Sequence, residues 1–281
     1  MAQADQSAHP VQLLREAVAS LEASVQLCLA RPGKVAVHRL RTSTRRVEAQ
    51  LELLSMLPEL PPHELQARNA VRLLKQLRQA AGQLRDIDVQ RDLVRNEVAG
   101  SKVNGVPHPD IELRSEARRL RRALKRKGEE AADHLLRLLR KQRARLPLVF
   151  QELLDALAPA QSIALSEAEL IALARGCYRN RRVPRLPDAA PQNTAELHET
   201  RKRAKLARYL AESAPQSFLE AHRLAAQFAA LQQAGGEWHD WLILAEAAAG
   251  ELGPSAQLPR RFAARANRAR RAFQRRLRYK I

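Results

Sequence analysis

Two short segments of the chain carry side chains whose types and spacing could do chemistry. In the first, His38-Arg39-Leu40-Arg41-Thr42-Ser43-Thr44-Arg45-Arg46 sets a histidine, a base three residues on and another base seven on. In the second, His198-Glu199-Thr200-Arg201-Lys202-Arg203-Ala204-Lys205-Leu206 repeats the pattern, and Arg208 extends it ten residues after the histidine. At 100° per residue these positions share one face of a helix. Like charges stacked this way repel by roughly a few tenths of a kcal/mol per pair. A structural helix would intersperse acids on such a face, and neither segment is expected to do so. The face makes sense if an anion neutralises it. Arg suits phosphate, because its planar fork donates two parallel hydrogen bonds to adjacent oxygens. One such helix alone would be read as a solvated basic face with a histidine at its edge; the repeated copy argues for a site.

A second pair of segments follows in the same order. Gly82-Gln83-Leu84-Arg85-Asp86-Ile87-Asp88-Val89 and Gly236-Glu237-Trp238-His239-Asp240-Trp241-Leu242 each place Asp four residues after Gly, and the His-to-Asp intervals are 48 and 42 residues. Two matched pairs in one order indicate an internal duplication. Asp86, Asp88 and Asp240 could suggest metal or acid–base chemistry. They are read instead as partners that orient the arginines, since a carboxylate within reach fixes a guanidinium before ligand arrives. No metal and no cofactor are expected. Trp238 and Trp241 are read as core residues.

Two further basic stretches lie outside the repeat. Arg114, Arg118, Arg122 and Lys125 are spaced by four, four and three, a one-sided stripe that is either a second wall of the binding surface or a solvated outer face. The last helix carries bases from Arg260 to Lys280 on most of its circumference, with no acid after Glu251, leaving Phe262, Ala266, Ala269, Phe273 and Leu277 to pack.

The elements that must position these groups are helices. From His9 to Leu29, apolar residues recur at three- and four-residue steps, the mark of an amphipathic helix. Further helices are predicted at about 34–57, 62–98 (with a bend at Gly82), 110–145 (with a break at Gly128) and 147–157. The stretch from Gly100 to Pro109 reads as a loop. The segment from Pro159 to Ser166 divides residues 9–158 from residues 166–281. Ser166 and Glu169 form a capping box that starts a helix running to about Arg182. A proline-rich loop at 183–192 leads to helices at about 194–213, 217–249 (with a break at Gly235-Gly236) and 258–279. Each half reads as about four helices.

Composition agrees. Hydrophobic residues make up 45% of the 281, yet aromatics only 4%, so the core must be built from Leu, Ala and Val. Ten glycines are fewer than a turn-dense β protein would use. The fold class is therefore all-α. The formal charge of +19 disfavours a compact state through self-repulsion, which a bound polyanion would relieve. Cys28 and Cys177 are isolated and indicate neither a disulfide framework nor a zinc site. The N-terminal residues lack the pattern of a signal peptide, and no apolar run approaches membrane-spanning length, so no membrane partner and a cytoplasmic location are expected.

At this point a family resemblance becomes visible. His38-x-x-Arg41-x-x-x-Arg45-Arg46 with Leu84-Arg85-Asp86-Ile87-Asp88-Val89 resembles the signature of the CHAD family, the conserved histidine α-helical domain. His198-x-x-Arg201-x-x-x-Lys205, with Arg208-Tyr209, resembles the second-half copy. That copy is looser: Leu206 stands where Arg46 does, and Trp238-His239-Asp240 replaces Leu-Arg-Asp, which leaves Arg85 without a counterpart. The likeness covers almost the whole chain, so residues 1–281 read as a single CHAD-like domain. It implies two four-helix bundles related by a pseudo-twofold axis, with a central basic groove or pore that binds inorganic polyphosphate. It also implies that His38, Arg41, Arg45, Arg46, His198, Arg201, Lys205 and Arg208 contact phosphate. Lys202 on the same helix, and Arg118, Arg122 and Lys125 on the long basic helix, are added as candidate contacts. Family members occur alone or fused to a CYTH-type triphosphatase domain, whose Glu-x-Glu-x-Lys signature is absent here.

No Gly-rich phosphate loop, His-Glu-x-x-His, nucleophile elbow or Cys/His cluster occurs in the sequence. The expected function is thus polyphosphate binding without catalysis, at cytoplasmic polyphosphate granules. The alternatives are an RNA- or DNA-binding protein, which single-strand recognition would normally equip with aromatic platforms, and a polyphosphate phosphohydrolase.

Overall fold

The structure is a computed structural model that describes residues 7–58, 60–99, 102–103, 106–107, 111–179 and 193–278. In chain order these form α1 (Pro10–Ala30), α2 (Lys34–Ser55), α3 (Glu64–Ala99), β1 (Lys102–Val103), β2 (Val106–Pro107), α4 (Ile111–Gln142), α5 (Arg145–Ala156), a 3-10 turn (Ala158–Ala160), α6 (Glu167–Arg179), α7 (Thr194–Glu212), α8 (Leu219–Leu252) and α9 (Gln257–Leu277). The fold is all-α, as the sequence indicates. Among the described residues the departures are a minimal antiparallel pairing of β1 with β2, inside the stretch read as a loop, and an isolated antiparallel bridge between Ala8 and Leu165. The expected continuation of α6 to Arg182 and the loop at 183–192 lie outside the described residues.

Helix ends follow local chemistry. The capping box forms: Glu169 N–H donates to Ser166 Oγ at 3.3 Å, and Ser166 N–H donates to the Glu169 carboxylate at 2.8 Å. Asn193 Oδ1 accepts from Glu196 N–H at 2.8 Å and starts α7. Two acids cap helices distant in sequence. Glu167 accepts from Glu220 and Ala221 N–H at the start of α8, and Glu116 accepts from Gln257 and Leu258 N–H at the start of α9. These carboxylates meet the positive end of the helix dipole, which the chain's few acids serve well.

The helices α4 and α8 run unbroken through Gly128 and Gly235-Gly236, where breaks were expected, and α3 is continuous through Gly82. A glycine costs a helix only about 1 kcal/mol relative to Ala, and packing outweighs it. At Gly235 packing demands it: a Cβ there would lie 2.9 Å from Phe273 Cζ and 3.1 Å from Arg201 Cγ.

Two hydrophobic clusters hold the fold. One gathers α1 to α5, through residues such as Leu14, Leu21, Leu40, Leu74, Leu120 and Phe150. The other gathers α6 to α9, through Leu170, Leu197, Leu210, Phe228, Trp238 and Phe273. Each borrows from the other half. Leu244, Ala248, Leu258 and Phe262 join the first cluster, while Ala49 and Leu53 of α2 join the second. The exchange draws α2 against α7, so the two helices carrying the His–base pattern meet. The short α5 gives the first half a fifth helix, packed on α3. None of the described helices is long and apolar enough to cross a membrane.

Candidate polyanion-binding site

The site is built where α2 and α7 come together, with α3 and α8 alongside. On α2, Arg41 and Arg45 turn toward α7; on α7, Arg201, Lys205 and Arg208 turn toward α2. Lys205 shows the result. Burial pushes its ammonium down to about 6, helped by the guanidiniums of Arg41, Arg45, Arg201 and Arg208. His38 on α2 and Asp86 and His239 on α3 and α8 also lie within its field.

Two acids of the cluster, Asp86 and Asp240, come one from each half. Arg41 pairs with Asp86 at 3.6 Å. Burial raises the Asp86 carboxyl against the pull of Arg41, Arg201, Lys205 and Arg85. Burial likewise raises Asp240, and the nearby Asp86 raises it further. Asp240 in turn is the strongest anionic influence on Arg201. Asp88, two residues beyond Asp86, is buried and stands on a different face of α3.

The two histidines of the repeat differ. His38 is exposed at the end of the cluster, lowered by burial of its ring and by Arg85, Arg41 and Lys205. His198 is packed: its ring lies 4.6 Å from Trp238 and meets His239 edge-on at 5.0 Å. Trp238 is 2% exposed and stacks on Phe273 at 6.0 Å, so it is a core residue that seats His198. Trp241 packs on Phe262 at 5.9 Å.

Four buried polar atoms of the cluster lack a hydrogen-bond partner: Arg45 Nε, Arg201 Nε, Arg208 Nε and His239 Nδ1. Such atoms are rare in folded proteins and costly to leave unsatisfied. Arg208 does lie 3.4 Å from Glu212, too poorly aligned for a hydrogen bond, with its guanidinium 4.7 Å above the Tyr209 ring.

Other expected residues sit elsewhere. Arg46 is exposed on the flank of α2 facing α1, bordering two small cavities there. Lys202 is exposed and paired with Glu199. Arg118, Arg122 and Lys125 are exposed on α4: Arg122 Nε donates to Arg118 O at 3.5 Å, and Lys125 lies 3.8 Å from Glu129.

The basic faces are less free of acids than expected. Glu48, three residues after Arg45, accepts from Arg45 Nη1 at 3.0 Å and from Arg78 Nε at 2.7 Å. Sequence reasoning misses Arg78, seven residues before Arg85 on α3; the one-heptad spacing is the signal that could have found it. The sequence marks His239 only as a departure from the repeat, yet burial and the charges of Arg201, His198, Arg41 and Lys205 push it down to about 3. It is therefore a neutral imidazole at ordinary pH. Among the described residues, no group of three or more His, Cys, Asp or Glu is placed to hold a metal ion.

Fold and cluster together define an all-helical protein in which both halves contribute cations to one basic cluster. The chain belongs to the CHAD domain family, whose profile matches residues 12–249. Among solved structures it is similar to PptA from Streptomyces chartreusis, with a TM-score of 0.65 and 18% identity over 96% of this chain and 98% of that one. It is also similar to the CHAD domain from the plant Ricinus communis, with a TM-score of 0.63 and 17% identity over 97% of this chain and 88% of that one. No curated protein matches the chain by sequence.

Proposed function

We propose that the protein binds inorganic polyphosphate in the cleft between α2 and α7, without chemical turnover, and collects on polyphosphate granules in the cytoplasm. The observation that carries this reading is the set of buried Nε atoms on Arg45, Arg201 and Arg208 that make no hydrogen bond, joined by His239 Nδ1. Phosphate oxygens would satisfy them, and charge-assisted hydrogen bonds are the strong ones. The crowding of Arg41, Arg45, Arg201, Lys205 and Arg208 favours a polyanion over a single phosphate, because one phosphate neutralises too little of it. The CHAD family's general association with polyphosphate supplies the identity of that polyanion. The two carboxylates serve as counter-ions that hold the guanidiniums in place before ligand enters.

The test is competition. Labelled long-chain polyphosphate is bound at fixed ionic strength and challenged with RNA, DNA and orthophosphate. The reading expects displacement by unlabelled polyphosphate alone at comparable phosphate concentration; equal displacement by RNA would assign the cleft to nucleic acid. Incubation with Mg²⁺ or Mn²⁺ is expected to release no phosphate, and steady release would overturn the non-catalytic reading.

A further inference from the structure

Beside the cation cluster lies a groove that polyphosphate binding does not explain. Arg45 and Lys205, both members of the cluster, line it, and its volume is about 790 Å³. That size falls within the range of small-molecule sites. Its floor is apolar: Leu51 of α2, Ala67 and Val71 of α3, and Leu206 and Tyr209 of α7. Val71 is 49% exposed, a large hydrophobic side chain left open to solvent with bases on either side. Arg68 and Arg72 stand along the α3 rim, and Glu52 and Glu199 provide carboxylates on the walls. A bare phosphate chain gains nothing from Leu51, Val71 and Leu206, since it has no apolar surface to bury.

We propose that this groove is a binding site for the nucleoside portion of a nucleoside polyphosphate, whose phosphate chain enters the cation cluster. The inference rests on the reading of that cluster as a phosphate site. The arrangement has the two characters such a ligand needs side by side. Arg45 and Lys205 take the phosphates. The floor formed by Val71 and Leu206 takes one face of the base. Glu52 and Glu199 can accept hydrogen bonds from ribose hydroxyls. Leu206 occupies the position where the first-half helix has Arg46, so this side of α7 offers an apolar surface in place of a cation.

The experiment compares ATP with tripolyphosphate, ligands of similar charge, by calorimetry on the full chain at fixed ionic strength without divalent cations. ATP is expected to bind at least about tenfold more tightly, the ratio given by burying a small apolar surface. Val71→Gln, which keeps charge and bulk, and Ala67→Phe, which fills the groove, are each expected to remove the ATP advantage. Both leave tripolyphosphate and long-chain polyphosphate affinity within about twofold. Equal affinity of the unaltered protein for ATP and tripolyphosphate would overturn the inference while leaving the polyphosphate reading intact. An ATP advantage that survives both variants would also overturn it. Failure of polyphosphate itself to bind would instead bring down the underlying reading.

Discussion

The two copies of the His–base helix share one pattern and do different work. On α2 the histidine is exposed and the arginines are braced by acids: Arg41 by Asp86 at 3.6 Å, and Arg45 by Glu48 at 3.0 Å. On α7 the histidine is packed on Trp238, and Lys205 sits among four guanidiniums with its ammonium lowered to about 6. The glycines diverge as well. A Cβ added at Gly82 would meet Arg41 Nε at an ordinary 3.9 Å, whereas in α8 the residue pressed against Arg201 is Gly235, not the Gly236 that the repeat pairs with Gly82. A duplicated motif thus keeps its charges while its support is rebuilt. The first copy offers permanently charged guanidiniums; the second adds to its guanidiniums one ammonium, Lys205, whose charge depends on what is bound.

The largest effect expected from this contrast is on stability. Leu84 and Trp238 occupy matching places in the repeat, but only Trp238 seats a site histidine while lying in the core. Trp238→Ala is expected to cost about 3–5 kcal/mol, and Leu84→Ala toward the low end of about 2–5 kcal/mol, in denaturant unfolding. Equal costs would mean that the second copy gains no special support from its aromatic packing. Adjacent glycines sharpen the same point. Gly235→Ala is expected to destabilise by about 1–3 kcal/mol, because its Cβ would strike Phe273 and the stem of Arg201. Gly236→Ala, with nothing within 4 Å, is expected to stabilise by about 0.4–1 kcal/mol.

Lys205 gives the pH prediction. Its pKa is 10.5 when unperturbed and about 6 in the fold, so between these values the unfolded chain binds the extra proton. Stability of the ligand-free protein from this group is therefore fully present above pH 10.5 and is lost as pH falls toward 6. Lys205→Met is expected to raise the thermal midpoint near pH 6 and leave it unchanged above pH 10.5. Binding polyphosphate at about pH 8 is expected to draw in roughly one proton, detected by calorimetry in buffers of different ionisation heat, and Lys205→Arg to abolish that uptake. No difference between the two proteins would place the titrating group elsewhere. The smallest effect belongs to α4. Replacing Arg118, Arg122 and Lys125 by Gln is expected to weaken polyphosphate binding by less than about threefold and to make its salt dependence shallower. A loss as large as that of a central arginine would make α4 a wall of the cleft.

Much of this is legible in the sequence, and what is not has a common cause. Helix periodicity, the Ser166–Glu169 box and the repeated His–base faces are local, and residues three to seven apart declare their shared face without knowledge of the fold. The resemblance carried by His38, Arg41, Arg45 and the Leu84-Arg85-Asp86 run leads to the family. Interactions between distant segments are not legible. Glu48 holding Arg78 spans 30 residues, and the Glu116 cap on α9 spans 141 and more. Nor does any local rule announce that α2 lends Ala49 and Leu53 to the core of the second half, where it meets α7 and the two basic faces come together. The expected breaks at glycines fail for the same reason: propensity is a weak prior where tertiary packing requires the helix to continue.

The central claim is that cations of both halves act on one ligand. Its most direct test is the affinity for long-chain polyphosphate of three proteins: Arg41→Ala with Arg45→Ala, Arg201→Ala with Lys205→Ala, and all four together, each checked for retained helicity by circular dichroism. The account predicts that either pair alone weakens binding by roughly a hundredfold or more, since each charge-assisted hydrogen bond to phosphate is worth about 1.5–3 kcal/mol. The fourfold variant is expected to show no measurable binding. If one pair abolished binding while the other left it unchanged, with both proteins still helical, the shared cleft would be contradicted.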